Sequence, residues 1–125
     1  MAGPKGSKYY DIFLKFKVWL ENTNGESILG NGKFELIDYI DQLGSLKAAA
    51  DKLGISYRKA WGMIREAEEK LGFCLTDKHR GGQHGGNSVL TAEGKILIEA
   101  YKELLQEFDE AIHQITKKFF NKVNK

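Results

Sequence analysis

The chain has 125 residues, of which 42% are hydrophobic, and a formal net charge of +2 at pH 7. This length is enough for one domain with its own core, but too short for a core domain plus a full-sized effector domain. Because the net charge is small, binding to nucleic acid has to be argued from where the charges lie. The single cysteine, Cys74, excludes an internal disulfide framework. The sequence has no secretory or membrane-spanning apolar run, so we expect a soluble, cytoplasmic protein that does not contact a membrane.

The N-terminal region is expected to contain an arm followed by a β-hairpin. Residues 1–8 are small, polar and basic, which predicts a disordered arm or a cloning remnant. Every second residue from Ile12 to Leu20 is apolar, which is the period of a half-buried strand. Asn22 to Gly25 supply turn residues before a short return strand. We therefore predict a hairpin over residues 12–29, followed by the rest of a single domain that spans residues 9–125.

Three helices are predicted in close succession, and each ends at a Leu-Gly pair. Apolar spacing predicts the first helix over residues 33–43, and Ser45 and Ser56 are placed to cap helices over 45–53 and 56–71. Gly44, Gly54 and Gly72 indicate left-handed C-terminal caps. Since few residues separate the second helix from the third, the two must cross sharply, as in a helix-turn-helix. In that motif the N-terminus of the later helix enters the major groove of DNA.

The third helix has a graded charge pattern opposite its apolar stripe. Arg58, Lys59 and Arg65 make the first half basic, whereas glutamates dominate the second half. This order opposes the helix macrodipole, and a merely solvated face, which is the alternative, would tend toward the reverse. Gly62 lowers the stability of the helix by up to about 1 kcal/mol relative to alanine, yet it lets a large partner approach closely. The apolar stripe that we expect to face the core consists of Tyr57, Ala60, Trp61, Ile64, Ala67 and Leu71.

A wing is predicted over residues 73–90, where two short segments flank four glycines in a flexible tip. Donor side chains on this wing suit the phosphate backbone or the minor groove, and an idle flexible loop is the alternative. These residues are Lys78, Arg80, Gln83 and His84.

The sequence gives little indication of metal binding or catalysis. Cys74, His79 and His84 are evenly spaced, but a closed zinc site normally needs four ligands in tighter pairs. No local arrangement indicates an activated nucleophile. We therefore expect no metal, no cofactor and no enzymatic activity.

A long helix is predicted over residues 91–120, with Thr91 as its cap and Glu93 in its first turn. Its apolar residues recur at near-heptad spacing. Because a domain of this size offers too little surface to cover the whole stripe, homodimerisation is favoured over packing on the helix's own domain. The predicted dimerisation residues are Leu97, Tyr101, Leu104, Phe108, Ile112, Ile115 and Phe119.

This order of elements is that of a winged helix-turn-helix, mainly α with a small β component and a long C-terminal dimerisation helix. The chain resembles the N-terminal DNA-binding domain of ModE-type molybdate-responsive regulators, which is related to the LysR-type winged helix. The matching stretches are GNGKFELIDYI from Gly30, GSLKAAADKLGISYRKAW from Gly44 and GGQHGGNSVLTAEG from Gly81. The resemblance covers roughly residues 13–115.

The resemblance implies a homodimeric transcription factor whose recognition helices bind half-sites of a pseudo-palindromic operator in double-stranded DNA. Outside the wing, the predicted DNA-binding residues are Ser45, Ser56, Tyr57, Arg58, Lys59, Gly62 and Arg65. Full-length members sense molybdate through C-terminal oxyanion-binding domains, for which this chain has no counterpart before it ends at Lys125. We therefore do not transfer molybdate binding, and we expect a stand-alone DNA-binding protein or one whose effector module is lost or supplied by a separate protein. The alternative function is a protein-interaction or adaptor module that uses Phe13 and Trp19.

Overall fold

The computed structural model of the protein describes residues 4–78 and 88–125. Eight elements follow one another in these ranges: β1 Leu20–Glu21, β2 Ser27–Leu29, α1 Asn31–Leu43, α2 Leu46–Leu53, α3 Tyr57–Leu71, β3 Thr76–Lys78, β4 Ser88–Leu90 and α4 Ala92–Val123. The chain divides into two compact units. One unit is Val18–Ala100, and the other combines Met1–Lys17 with Tyr101–Lys125.

The core of the Val18–Ala100 unit lies between α1, α2 and α3. Leu36, Ile37 and Ile40 of α1 are completely buried. The facing side chains on α2 and α3 include Ala49 and Ala60, which are also fully buried. Because alanine side chains are short, these helices pack closely. None of the helices in the described part of the chain is long and apolar enough to cross a membrane.

The predicted caps and helix ends are confirmed. The Oγ of Ser45 accepts a hydrogen bond from the Ala48 amide at 3.1 Å, and the Oγ of Ser56 accepts one from the Lys59 amide at 3.0 Å. Each of the three helices ends at a glycine in the left-handed region, with φ values of 71°, 71° and 84°. This backbone conformation favours glycine, which explains the repeated Leu-Gly pairs.

The predicted hairpin is wrong over most of its first strand. Only Leu20–Glu21 pair with Ser27–Leu29, in an antiparallel register that places Leu20 opposite Leu29. Residues 12–19 have no strand assignment, and Ile12, Phe13 and Leu14 are 49%, 59% and 42% exposed. A strand forms only by pairing with a neighbouring strand, and the strand pairing of β2 extends only to Leu20 and Glu21. Alternating hydrophobicity therefore marks no buried sheet face here.

The N-terminal arm also differs from the expectation. Residues 4–8 belong to successive turns, in which the Ser7 amide donates to the Pro4 carbonyl at 3.0 Å and the Tyr10 amide to the Ser7 carbonyl at 3.2 Å. In the same unit the Phe16 ring lies 6.5 Å from the Phe108 ring, centre to centre. Residues 1–3 lie outside the described part of the chain.

The wing strands are joined to the helices at their base. β3 and β4 pair antiparallel, with Thr76 opposite Leu90, and the Ser88 amide donates to the Gly44 carbonyl at 3.0 Å. Thr91 caps α4, since its Oγ1 accepts from the Gly94 amide at 3.0 Å, and it also donates to the Cys74 carbonyl at 2.7 Å. These hydrogen bonds fix the start of α4 against the segment that enters the wing.

Candidate nucleic-acid interface

The predicted basic side chains of α3 lie at the surface. Arg58, Lys59, Gly62 and Arg65 are all exposed. Arg58, Gly62 and Arg65 are spaced by four and three residues, so they share one face of the helix. Tyr57 is 46% exposed and does not belong to the buried stripe in which the sequence placed it. Its position in the first turn of α3 puts it beside this basic face.

The N-terminus of α3 adds backbone donors to this surface. The first amides of a helix have no partner within the helix, and they attract anions such as phosphate. The bond to the Ser56 Oγ uses one of these amides and only the acceptor capacity of the hydroxyl, so the hydroxyl hydrogen can still donate to a phosphate oxygen. The same holds for Ser45 at the start of α2. Both serines therefore cap their helices, and each hydroxyl keeps a hydrogen that can bind DNA.

Arg65 has a specific neighbour that the sequence did not reveal. Its guanidinium carbon lies 4.6 Å from the centre of the Trp61 ring, which is a cation–π arrangement. An Nη2–Oε1 distance of 4.0 Å to Glu69 marks a long ion pair on the other side. Trp61 is only half-buried, contrary to the expectation that it faces the core.

The second half of α3 is held to α1 by an ion pair and to β2 by a hydrogen bond. Glu66 Oε1 lies 3.3 Å from the ammonium of Lys33 on α1 and 2.8 Å from that of Lys70. Lys70 also donates to the Ser27 carbonyl of β2 at 3.2 Å. The hydrogen bonds from Lys70 and Lys33 lower the pKa of the Glu66 carboxyl below its usual value, and the Glu66 carboxylate raises the pKa of Lys70.

Glu68 performs a similar anchoring role at the wing. Its Oε2 accepts hydrogen bonds from the Leu75 amide at 2.7 Å and the Thr76 amide at 3.2 Å. The sequence indicates only that glutamates dominate this half of the helix, and it does not predict these two contacts. The four-residue spacings of Trp61 with Arg65 and of Glu66 with Lys70 are the sequence features that could have predicted these side-chain contacts.

A cavity of about 190 Å³ lies between α2, α3 and the wing strands. Its lining consists of Leu46, Trp61, Ile64, Arg65, Glu68, Cys74, Thr76 and Ser88. Glu68 is occupied by the two amides of the wing, and Cys74 is an exposed thiol. Within the described ranges, no three His, Cys, Asp or Glu side chains form a group suited to a metal ion. His79 lies outside those ranges.

The predicted wing contacts cannot be placed. Arg80, Gln83 and His84 lie outside the described residues, as does the predicted flexible tip. Lys78 is the last residue of β3, opposite Ser88 in the ladder.

The predicted apolar stripe of α4 divides into two parts. Tyr101 is only 2% exposed, and burial raises the pKa of its phenol, so it is not a surface residue available for dimerisation. Leu97, Leu104 and Ile112 are half-buried. By contrast, the exposed fractions of Phe108, Ile115 and Phe119 are 48%, 54% and 50%.

These observations define a winged helix-turn-helix, with α2 and α3 as the motif, β3 and β4 as the wing strands, and a basic surface on α3. Comparison with known proteins supports this assignment. The sequence matches the description "Bacterial regulatory helix-turn-helix protein, lysR family" over residues 32–95. The chain belongs to this family, and its DNA-binding domain is of the ModE type.

Two curated relatives illustrate the similarity. The DNA-binding transcriptional dual regulator ModE of Escherichia coli K12 is 36% identical over 74 residues, which cover 59% of this chain and 28% of ModE. The molybdenum-pterin-binding protein MopB of Rhodobacter capsulatus is 32% identical over 103 residues, which cover 77% of this chain and 37% of MopB. The chain thus spans about a third of the length of these relatives.

A solved structure supports the same fold. The DNA-binding domain of BenM in complex with benA site 1 DNA aligns with a TM-score of 0.54 and 26% sequence identity. The alignment covers 70% of this chain and 92% of the BenM domain. The family description is of regulatory helix-turn-helix proteins, and the Escherichia coli relative is described as a transcriptional dual regulator.

Proposed function

We propose that this chain is a sequence-specific transcriptional regulator that acts in the cytoplasm as a homodimer on a pseudo-palindromic operator. In this proposal the N-terminal half of α3 contacts base edges in the major groove, and the wing contacts the DNA backbone. The observation that carries the proposal is the exposed face of Arg58, Gly62 and Arg65, which begins in the first turn of α3, two residues after its cap Ser56.

The charge arrangement of α3 supports this orientation. Glu66 and Glu68 engage lysines or wing amides near the C-terminal end, whereas Arg58, Lys59 and Arg65 are exposed to solvent, with only the long Glu69 pair at Arg65. Arginine suits guanine recognition, because its planar guanidinium can donate to O6 and N7 at once. Positive charge in the first turns opposes the helix dipole, and a bound phosphate backbone would compensate that cost.

Space at Gly62 supports close approach of a duplex. A Cβ atom at this position would meet nothing within 4 Å among residues 4–78 and 88–125. No packing within the described part of the chain therefore requires glycine here, and glycine weakens the helix. A partner surface that lies against α3 accounts for its presence between the two arginines.

The homodimer is supported by the exposed part of the α4 stripe. Phe108, Ile115 and Phe119 are separated by seven and four residues, so they share one face of the helix. All three are about half-exposed in the single chain. A second copy with the same stripe would remove this apolar surface from water.

A protein-interaction module is the alternative, and the exposed rings of Phe13 and Trp19, at 59% and 45%, favour it. Duplex binding separates the two functions. A scaffold would bind DNA weakly and without selectivity, whereas a regulator selects particular sequences.

The test is a selection from random duplexes, followed by binding titrations across salt concentrations with the wild type, R58A/R65A and K95A/K122A. The K95A/K122A variant removes two positive charges from α4 and controls for loss of charge alone. We expect an enriched pseudo-palindrome that the wild type and the control bind with similar selectivity and that R58A/R65A does not distinguish from random DNA. No enrichment from a folded dimer would contradict the regulator and favour the interaction module.

A further inference from the structure

We infer that Trp61 is a positioning residue for DNA readout: its indole ring packs against the guanidinium of Arg65 and orients that group toward one base pair. This inference rests on the proposed function, because it requires Arg65 to contact DNA. It assigns a role to a tryptophan that lies beside the basic face and that sequence reasoning placed in the core.

The geometry of the pair follows from helix chemistry. Side chains in a helix lean toward its N-terminus, so a residue covers the turn before its own Cα. Arg65 therefore extends over Trp61, and the 4.6 Å distance from the guanidinium carbon to the ring centre places the two groups in cation–π contact. This direction brings the charge toward the N-terminal half of α3.

The preferred arrangement of this pair, with the guanidinium flat on the ring, leaves the base-reading atoms of the guanidinium accessible. The ring attracts the flat face of the group, while its N–H donors lie in the plane and point outward. The competing ion pair is weak, since the Arg65–Glu69 distance of 4.0 Å exceeds a hydrogen bond and the side chains are 56% and 74% exposed. A guanine edge can therefore replace Glu69 without disturbing the stack.

Trp61 can serve as a platform because it is itself packed. The residue is half-buried, and it shares the wall of the 190 Å³ cavity with Leu46 of α2 and Ile64 of α3. A long arginine side chain loses rotamer freedom when it binds. A stack formed before binding removes part of that loss, and it favours the one direction in which Arg65 points.

The test compares aromatic and non-aromatic replacements of Trp61. R65A identifies the base pair that Arg65 contacts, as the position where discrimination among operator variants is lost. W61L is expected to reduce discrimination at that same base pair about two- to fivefold, the range of an exposed cation–π contact. W61F retains a ring face and is expected to stay close to wild type. In the R65A background, W61L should cause no further change at that base pair.

A measurement without DNA keeps the inference testable if W61L folds poorly. The Cδ protons of Arg65 in the free wild-type protein should show upfield ring-current shifts in an NMR spectrum, and W61M, a second non-aromatic variant, should remove them. Ordinary shifts in the wild type, equal losses in W61F and W61L, or an added effect of W61L on R65A would each overturn the inference. If R65A leaves discrimination intact, readout by Arg65 fails as well. If R65A loses discrimination at this base pair but W61L keeps it, the proposed function stands and the positioning role of Trp61 fails.

Discussion

Replacing Gly62 by alanine is expected to stabilise the protein and weaken its binding to DNA. The site is exposed, lies inside α3, and offers open space for a methyl group. Alanine is favoured over glycine in a helix interior by about 0.8–1.0 kcal/mol. For a domain of this size, 1 kcal/mol raises the melting temperature by roughly 4 °C.

The same methyl group would project from the face between the two arginines toward the duplex. Overfilling a close contact typically costs about 1–3 kcal/mol, which corresponds to a loss of affinity of roughly five- to 150-fold. Calorimetric melting and duplex titration on one protein preparation measure both effects. An enzyme or a simple scaffold would show only the gain in stability.

Gly32 provides a matched control for this substitution. It is also exposed, lies in a helix and would place its new Cβ in open space, but it belongs to the first turn of α1. G32A should leave affinity unchanged. If G62A melts at a higher temperature and binds the selected duplex as tightly as G32A, the contact surface does not include the middle of α3, and the reasoning is refuted.

Three further variants test other parts of the account. G94A should destabilise the protein by about 1–3 kcal/mol in denaturant unfolding, because its Cβ would lie 2.5 Å from the Leu75 carbonyl oxygen; unchanged stability would contradict the close packing at the start of α4. E66Q should cost less than about 1 kcal/mol at neutral pH, since the carboxylate is 52% exposed. I115D/F119D should convert the dimer to a monomer in light scattering, whereas a persistent dimer would place the interface elsewhere.

The Glu66 prediction has a defined pH dependence. Its lysine partners lower the folded-state pKa below the ordinary value of 4.5, so the stabilisation is complete above that value and is lost as the pH falls through the lower folded-state pKa. E66Q should therefore approach wild-type stability in acid. A difference between the two proteins that persists unchanged below the folded-state pKa would show that the glutamine alters packing instead.

The sequence predicted the helix-turn-helix well because its signals are local. Ser45 and Ser56 cap helices within three residues of themselves, and each Leu-Gly pair ends its own helix. Such features depend on backbone hydrogen bonds close in the chain, so no tertiary information is needed to interpret them. The basic surface of α3 followed from the same local periodicity.

The errors concern features that depend on partners distant in sequence. The alternation at residues 12–19 predicted a strand, but strand pairing requires a neighbour that β2 is too short to provide. Tyr101 fits the heptad pattern of α4 and is nevertheless buried. A periodic pattern identifies an apolar face, and it does not determine whether the same chain or a second copy covers that face.

The central claim is that Arg58 and Arg65 give α3 its sequence selectivity, and the most direct test is the affinity ratio between the selected operator and a scrambled duplex of equal length. At one fixed salt concentration, the wild type and K95A/K122A should keep a large affinity ratio. Each single arginine variant should lower the ratio about five- to 150-fold, which corresponds to about 1–3 kcal/mol of discrimination, and R58A/R65A should bring the ratio close to one. If the double variant, folded and dimeric, keeps the wild-type ratio, the basic face of α3 does not select the DNA sequence.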